Sequence, residues 1–310
     1  MTTATKKQRK SLSPKQKTLI LSVFWGLFVA GFVGVLSLFI YVWNHAEIPD
    51  MADLETPNIS YASQVISSDG KVLTTYFMQS KAGDEGNRSP VTYSELPQNL
   101  IDALIATEDA RFYDHSGIDF QALFRVAIKT ILFGNKGQGG GSTITQQLAK
   151  KSYPRTASNI VLDKLKEWII AVKMERMYTK EEIMVLYLNK VEFAGGTFGI
   201  KNASETLFGK HPSDLLPEES AVLVGSLSAT SAYDPRQNPK AALARRNLVL
   251  TRMADSGRLD KAVADSLKAT PINLDRYRVI NAKTQQVPYF RQMLFNTMRA
   301  REPERKDYTY

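Results

Sequence analysis

The sequence predicts a mainly α-helical globule on a stalk and a single N-terminal transmembrane helix, with one small β-hairpin between them. Three observations carry this expectation. The run from Leu19 to Trp43 contains no charged residue. The stretch "QVISSDGKVLTTYF" alternates around Asp69-Gly70, a strong hairpin signal. From Ser94 onward apolar residues recur at helical spacing, as in Leu100, Ile101, Leu104 and Ile105, and again in Leu162, Leu165, Ile169 and Val172.

Taken in order, residues 1–18 form a basic tail. Lys6, Lys7, Arg9, Lys10, Lys15 and Lys17 precede the apolar run, and Glu47, Asp50, Asp53 and Glu55 follow it. Residues 19–43 are long enough to exceed a hydrocarbon core of roughly 30 Å. The positive-inside rule then places the tail in the cytoplasm and the remainder outside. A cleaved signal peptide is the rival reading, but the run exceeds an h-region and its flank, Trp43-Asn44-His45, is not a small-x-small cleavage site. Residues 44–93 read as a stalk, with Pro49 and Pro57, followed by the hairpin and a polar loop at 81–90. Residues 94–270 form the helical domain, and 271–310 a C-terminal extension or the start of a linker.

Within the helical domain, Thr179 with Glu182 predicts a capping box, Pro217 and Pro239 sit at first-turn positions, and Gly257 is placed to end a helix. The absence of cysteine excludes disulfides, zinc-thiolate sites and a cysteine nucleophile. The net charge of +9 is mostly a property of the tail. Without those six cations, 34 basic residues face 31 acidic ones, which argues against a nucleic-acid partner.

Two stretches carry chemistry. In "ATEDARFYDHSGID", Glu108 falls four residues after Leu104 and seven after Ile101, on the core-facing side of its helix, with Asp109 about 100° away. A carboxylate partly walled by apolar groups at a helix C-terminus is a better proton acceptor than a solvated one. The residues alone leave open the plainer reading, a frayed last turn pairing with Arg111. His115 has no ligand spacing and reads as a structural hydrogen-bonding residue.

In "FGNKGQGGGSTITQQLAKK", Gly134 and Gly139 have the outer spacing of a phosphate loop, but Gly140 and Gly141 stand where that motif needs Lys and Ser/Thr. A glycine run leading into Ser142 and Thr143, with Gln146 three residues on, predicts a capping-box helix start whose free amides favour an anion. An ordinary capped surface helix remains the alternative. Lys150, Arg155, Lys164 and Lys166 gather cations nearby, as a pyrophosphate leaving group requires.

Together these stretches resemble the peptidoglycan glycosyltransferases of glycosyltransferase family 51, the transglycosylase module of class A penicillin-binding proteins and of monofunctional transglycosylases. The family motif ED-x-x-F-x-x-H-x-G is matched by Glu108, Asp109, Phe112, His115 and Gly117, and GGSTITQQ-x-x-K by Gly140 through Gln147 and Lys150. The match runs from about Ser94 to Ser256. It implies a lysozyme-like α-helical fold and polymerisation of lipid II onto a growing glycan strand, with inversion at the donor anomeric carbon and release of undecaprenyl pyrophosphate.

By the same resemblance Glu108 is the base and Glu167 the second catalytic glutamate. Arg125, Ser142, Thr143, Gln146, Gln147, Lys150, Arg155 and Lys164 bind substrate or pyrophosphate. Asp109, Phe112, His115 and Gly117 shape the motif. No cofactor is required, no dedicated metal cage is visible, and a divalent metal such as Mg could help to neutralise pyrophosphate. The expected setting is the inner (cytoplasmic) membrane, with the catalytic domain periplasmic. The expected partners are lipid II, the growing glycan, the membrane and other cell-wall synthesis proteins.

Asp163 departs from the family pattern, which has arginine there, and replaces a phosphate donor with a repelling charge. It supports an alternative, a non-catalytic membrane-anchored scaffold that binds lipid II or glycan. A glycan-cleaving lysozyme is a third reading, which leaves the anchor and the cationic cluster without a purpose. "VPYFRQMLF" from Val287 is similar to the approach to a transpeptidase linker, so the expected natural chain is the N-terminal half of a bifunctional protein, with a monofunctional enzyme as the alternative.

Overall fold

The computed structural model describes residues 13–45, 49, 54, 63–69, 72–76, 89–133, 141–153, 160–278 and 288–301. They are mainly helical. The chain divides into two compact units, one of residues 1–48 and 157–166, the other of residues 49–156 and 167–310.

The first unit contains α1 (Pro14–His45), whose span Pro14–Val42 is long and apolar enough to cross a membrane. No acidic residue interrupts it, and no described basic residue follows Lys17 within it. The basic residues before Ser13, most of the stalk and Arg155 lie outside the described residues.

The second unit opens with the expected hairpin. Strands β1 (Ser63–Ile66) and β2 (Val72–Tyr76) pair antiparallel, Ser63 opposite Tyr76, with a bulge between Val65 and Ile66. The helical body follows: α2 (Gln98–Glu108), α3 (Phe120–Phe133), α4 (Ile144–Ser152), α5 (Ile160–Met177), α6 (Lys180–Lys190), α7 (Ile200–Phe208), α8 (Pro217–Ser226), α9 (Pro239–Asp255), α10 (Lys261–Lys268) and α11 (Pro288–Arg301). Of α5, the part before Glu167 belongs to the first unit. A two-residue ladder joins β3 (Glu192–Phe193) to β4 (Thr197–Phe198).

Helix α2 packs against α8 and α9, and α9 in turn against α8 and α10. Its Leu100, Ile101, Leu104 and Ile105, which carry the helical spacing, are all buried. Each such side chain contributes about 1.5–3 kcal/mol on leaving water. Every residue from Ser220 to Ser226 of α8 is buried, so this helix runs through the core. The end of α2 is thus fixed on both sides, and Glu108 is its last residue.

The punctuation read from sequence is in place. Thr179 accepts from the Glu182 amide while Glu182 accepts from the Thr179 amide. Pro217 and Pro239 open their helices. Gly257, at φ +69°, ends α9, where its amide reaches Ala254 and the Arg258 amide reaches Met253, the paired bonds of a left-handed C-terminal cap. One expectation needs correction. Thr143 does cap α4 by accepting from the Gln146 amide, but Gln146 does not complete a capping box, because its side chain turns to the Gly117 carbonyl instead.

Candidate active site

The chain reverses direction immediately after α2, and the two motif stretches meet there. Asp109, 6% exposed, accepts from His115 Nε2 at 3.0 Å and from the backbone amide of Ile144 at 3.0 Å. The Gly117 amide donates to His115 Nδ1, so the ring's proton sits on Nε2 and points at Asp109. Asp109 therefore joins the end of α2 to the first turn of α4, where helix amides favour a negative charge.

Gly117 is the hinge of this arrangement. Its carbonyl accepts from Thr143 Oγ1 at 2.7 Å and from Gln146 Nε2 at 3.2 Å. Its own α-carbon lies so close to α5 that an added Cβ would stand 2.9 Å from the Ala171 backbone. Thr143 and Gln146 are 2% and 1% exposed, and each gives one donor to this loop. Below them, Thr145 donates to Glu175 at 2.6 Å, and Lys180 donates to Glu175 and to the His115 carbonyl. The Lys180 ammonium also lies 4.5 Å from the centre of the buried Phe112 ring. These contacts tie α4, α5 and α6 to the motif loop.

Glu108 is half-buried and does not pair with Arg111. It accepts from Gln147 Nε2 at 2.9 Å, and Gln147 Oε1 accepts from the Tyr187 hydroxyl at 3.0 Å. Burial, and then the charge of Glu108, push the Tyr187 phenol well above its usual range. Tyr187 thus stays protonated and donates to Gln147, whose amide in turn holds one oxygen of Glu108.

Arg111 instead clasps Asp119, with Nε 2.9 Å from Oδ2 and Nη2 on Oδ1. Burial pushes the Asp119 carboxyl up, but the Arg111 and Ala122 hydrogen bonds more than reverse this and hold it below the usual aspartate range. In Asp234, 1% exposed, burial is likewise outweighed by bonds to Arg236. A depressed folded pKa contributes stability above the unfolded value, and that stability is lost as pH falls through the folded one. The melting temperature should therefore hold between pH 7 and 5 and drop below about pH 4. Asp119→Asn should flatten part of that drop; a thermal melt already steep between pH 7 and 5 would contradict this assignment.

Glu108 opens onto a cleft of about 360 Å³. Arg125 from α3, Ser142 and Thr143 line it, as do Arg252 and Asp255 from α9. Arg252 donates to the Thr107 carbonyl at 2.9 Å, placing a cation on the final turn of α2, where the helix dipole favours it. Sequence reasoning missed Arg252 and Tyr187, which long-range packing brings here, and the Arg111–Asp119 clasp, which closes within the motif loop.

The remaining sequence candidates are placed as follows. Lys150, exposed in the last turn of α4, lies three residues after Gln147 and on the same helical face. Glu167 is buried on α5 in the second unit, while Asp163 and Lys164, earlier on the same helix, fall in the first. Among the described residues, no cluster of three or more His, Asp or Glu side chains could hold a metal ion.

Residues 70–254 match the family model described as Transglycosylase. The chain belongs to the transglycosylase family. This transglycosylase is 36% identical over 255 residues to Penicillin-binding protein 1A of Escherichia coli (strain K12), covering 82% of this chain and 28% of that protein. It is 37% identical over 241 residues to Penicillin-binding protein 1A of Aquifex aeolicus (strain VF5), covering 78% and 32%. The transglycosylase thus spans about a third or less of the length of these relatives. A 2.6 Å crystal structure of Penicillin-Binding Protein 1A from Haemophilus influenzae aligns with 81% of the transglycosylase and 26% of that chain, at 22% identity and a TM-score of 0.40.

Proposed function

We propose that this transglycosylase is a peptidoglycan glycosyltransferase of bacterial cell-wall synthesis that polymerises lipid II into glycan strands. The observation that carries the proposal is a half-buried Glu108, held by Gln147 at the edge of a cleft that also contains Arg125 and Arg252. In this reading Glu108 takes the proton of the acceptor sugar's 4-hydroxyl as that oxygen attacks C1 of the donor. The bond from C1 to the pyrophosphate oxygen breaks, the anomeric centre inverts, and undecaprenyl pyrophosphate leaves with its electron pair. Cations stabilise the departing charge, and Arg125, Lys150 and Lys164 are the residues assigned to it, with Glu167 assisting beside the donor.

The reaction as written needs no cofactor. A divalent cation such as Mg would help to neutralise the pyrophosphate. Helix α1 anchors the enzyme as a single-pass protein of the inner membrane, tail in the cytoplasm and catalytic domain in the periplasm. Other cell-wall synthesis proteins are the partners this setting implies.

The test is incubation of the intact chain in detergent with lipid II, with glycan strands read on a gel. Polymer supports the proposal. Lipid II that binds without polymerising supports the scaffold reading instead, for which the charge-reversing Asp163 is the specific motive.

The relay behind Glu108 gives a graded check. Tyr187→Phe removes one donor from the half-buried Gln147 carbonyl, an interaction worth about 0.5–1.5 kcal/mol. Lipid II consumption should slow by roughly 2- to 12-fold with KM little changed. A rate equal to that of the native chain would show that Gln147 orients Glu108 without Tyr187.

A further inference from the structure

A second cavity, of about 590 Å³, shares no lining residue with the Glu108 cleft. It lies between the end of α7, the start of α8, α9 and the segment after α10. Its volume is that of a small-molecule site. Arg246 of α9 lines it and is 1% exposed. One edge of the guanidinium is fully occupied: Nε and Nη2 bond Asn247 Oδ1, and Nη2 also reaches the carbonyls of Lys268 and Thr270 at 3.2 and 2.7 Å. The other nitrogen, Nη1, is buried and has no acceptor among the described residues. A buried donor left unpaired costs about 1–3 kcal/mol, and more when charged, so its persistence needs a reason.

The same cavity contains a matching unpaired anion. Glu218, in the first turn of α8, has no hydrogen-bond or ion-pair partner among the described residues, although its neighbour Glu219 is fully engaged with Lys210 at 2.8 and 2.9 Å. Glu218 acts on Arg246 electrostatically without bonding to it. Arg246 and Glu218 thus line the same cavity, beside the apolar side chains of Phe208, Val222 and Ile272.

We infer that this cavity binds a zwitterionic α-amino-acid head group with an apolar side chain, either a free amino acid or the matching end of a larger molecule. The ligand carboxylate accepts from Arg246 Nη1, its ammonium donates to Glu218, and its side chain rests on the apolar wall. A simple anion would satisfy Arg246 and be repelled by Glu218. A simple cation would meet the opposite problem. Only a ligand carrying both charges pairs both groups.

The experiment is calorimetric titration of the full chain in detergent micelles with L- and D-leucine, beside N-acetyl-leucine, which lacks the ammonium, and leucinamide, which lacks the carboxylate. At least one hand of leucine should bind saturably, and both capped forms at least tenfold more weakly. Arg246→Met removes the donor but also frees the Lys268 and Thr270 carbonyls and so threatens the fold. Glu218→Gln is therefore the deciding variant, expected to weaken leucine at least tenfold while the protein keeps a cooperative thermal melt. Absence of saturable leucine binding, equal binding of a capped form, or an unaffected Glu218→Gln would each overturn the assignment. None of these readouts depends on glycosyltransferase activity.

Discussion

Glu108→Gln is expected to lower the rate of lipid II polymerisation by about 10²- to 10⁴-fold, the usual contribution of a positioned general base. The substitution keeps the shape of the side chain and its contact with Gln147, whose Nε2 can still donate to the amide oxygen of the new glutamine. Only the ability to accept a proton is lost. Lipid II binding and the thermal melt should therefore match the native protein. The Tyr187 phenol, no longer facing a negative charge, loses the smaller of the two influences that raise it. A variant polymerising within threefold of the native rate would remove Glu108 from the mechanism and leave the cleft without a base on α2.

Gly117→Ala should be the most damaging substitution in the motif loop, by more than about 3 kcal/mol. Two costs combine. At φ +91° an L-residue is strained, which costs about 1–3 kcal/mol. In addition, the new methyl would meet the Ala171 backbone at 2.9 Å, and a helix backbone cannot yield as a flexible side chain can. Displacing Gly117 would also disturb its bonds with Thr143, Gln146 and His115, and through His115 the placement of Asp109. Denaturant unfolding would read the loss directly, and activity should fall even in the fraction that folds. A stability change below about 1 kcal/mol would mean that the loop has room to move away from α5.

Much of the fold was legible because it depends on local physics. The spacing of Leu100, Ile101, Leu104 and Ile105 located α2, and Thr179 with Glu182, Pro217, Pro239 and Gly257 located helix ends, because caps and turn residues act within a few positions of themselves. Asp69-Gly70 marked the hairpin for the same reason. Gln146 defeated the local rule. Its spacing from Thr143 suits a capping box, but the Gly117 carbonyl, 29 residues away, offered a buried bond instead.

The sequence by itself determined the apolar helix, the helical body and the two motif stretches around Glu108 and Thr143, since each is written in residue type and short-range spacing. Tertiary structure alone decided what those residues touch. It gave Arg111 to Asp119 rather than to Glu108, turned a donor of Thr143 and one of Gln146 to the Gly117 carbonyl, and set Gln147, Tyr187 and Arg252 around the end of α2. The reason is the range of the forces: propensity and capping act over a turn of helix, whereas a buried polar group takes whichever partner the packed core brings within about 3 Å, from any distance along the chain.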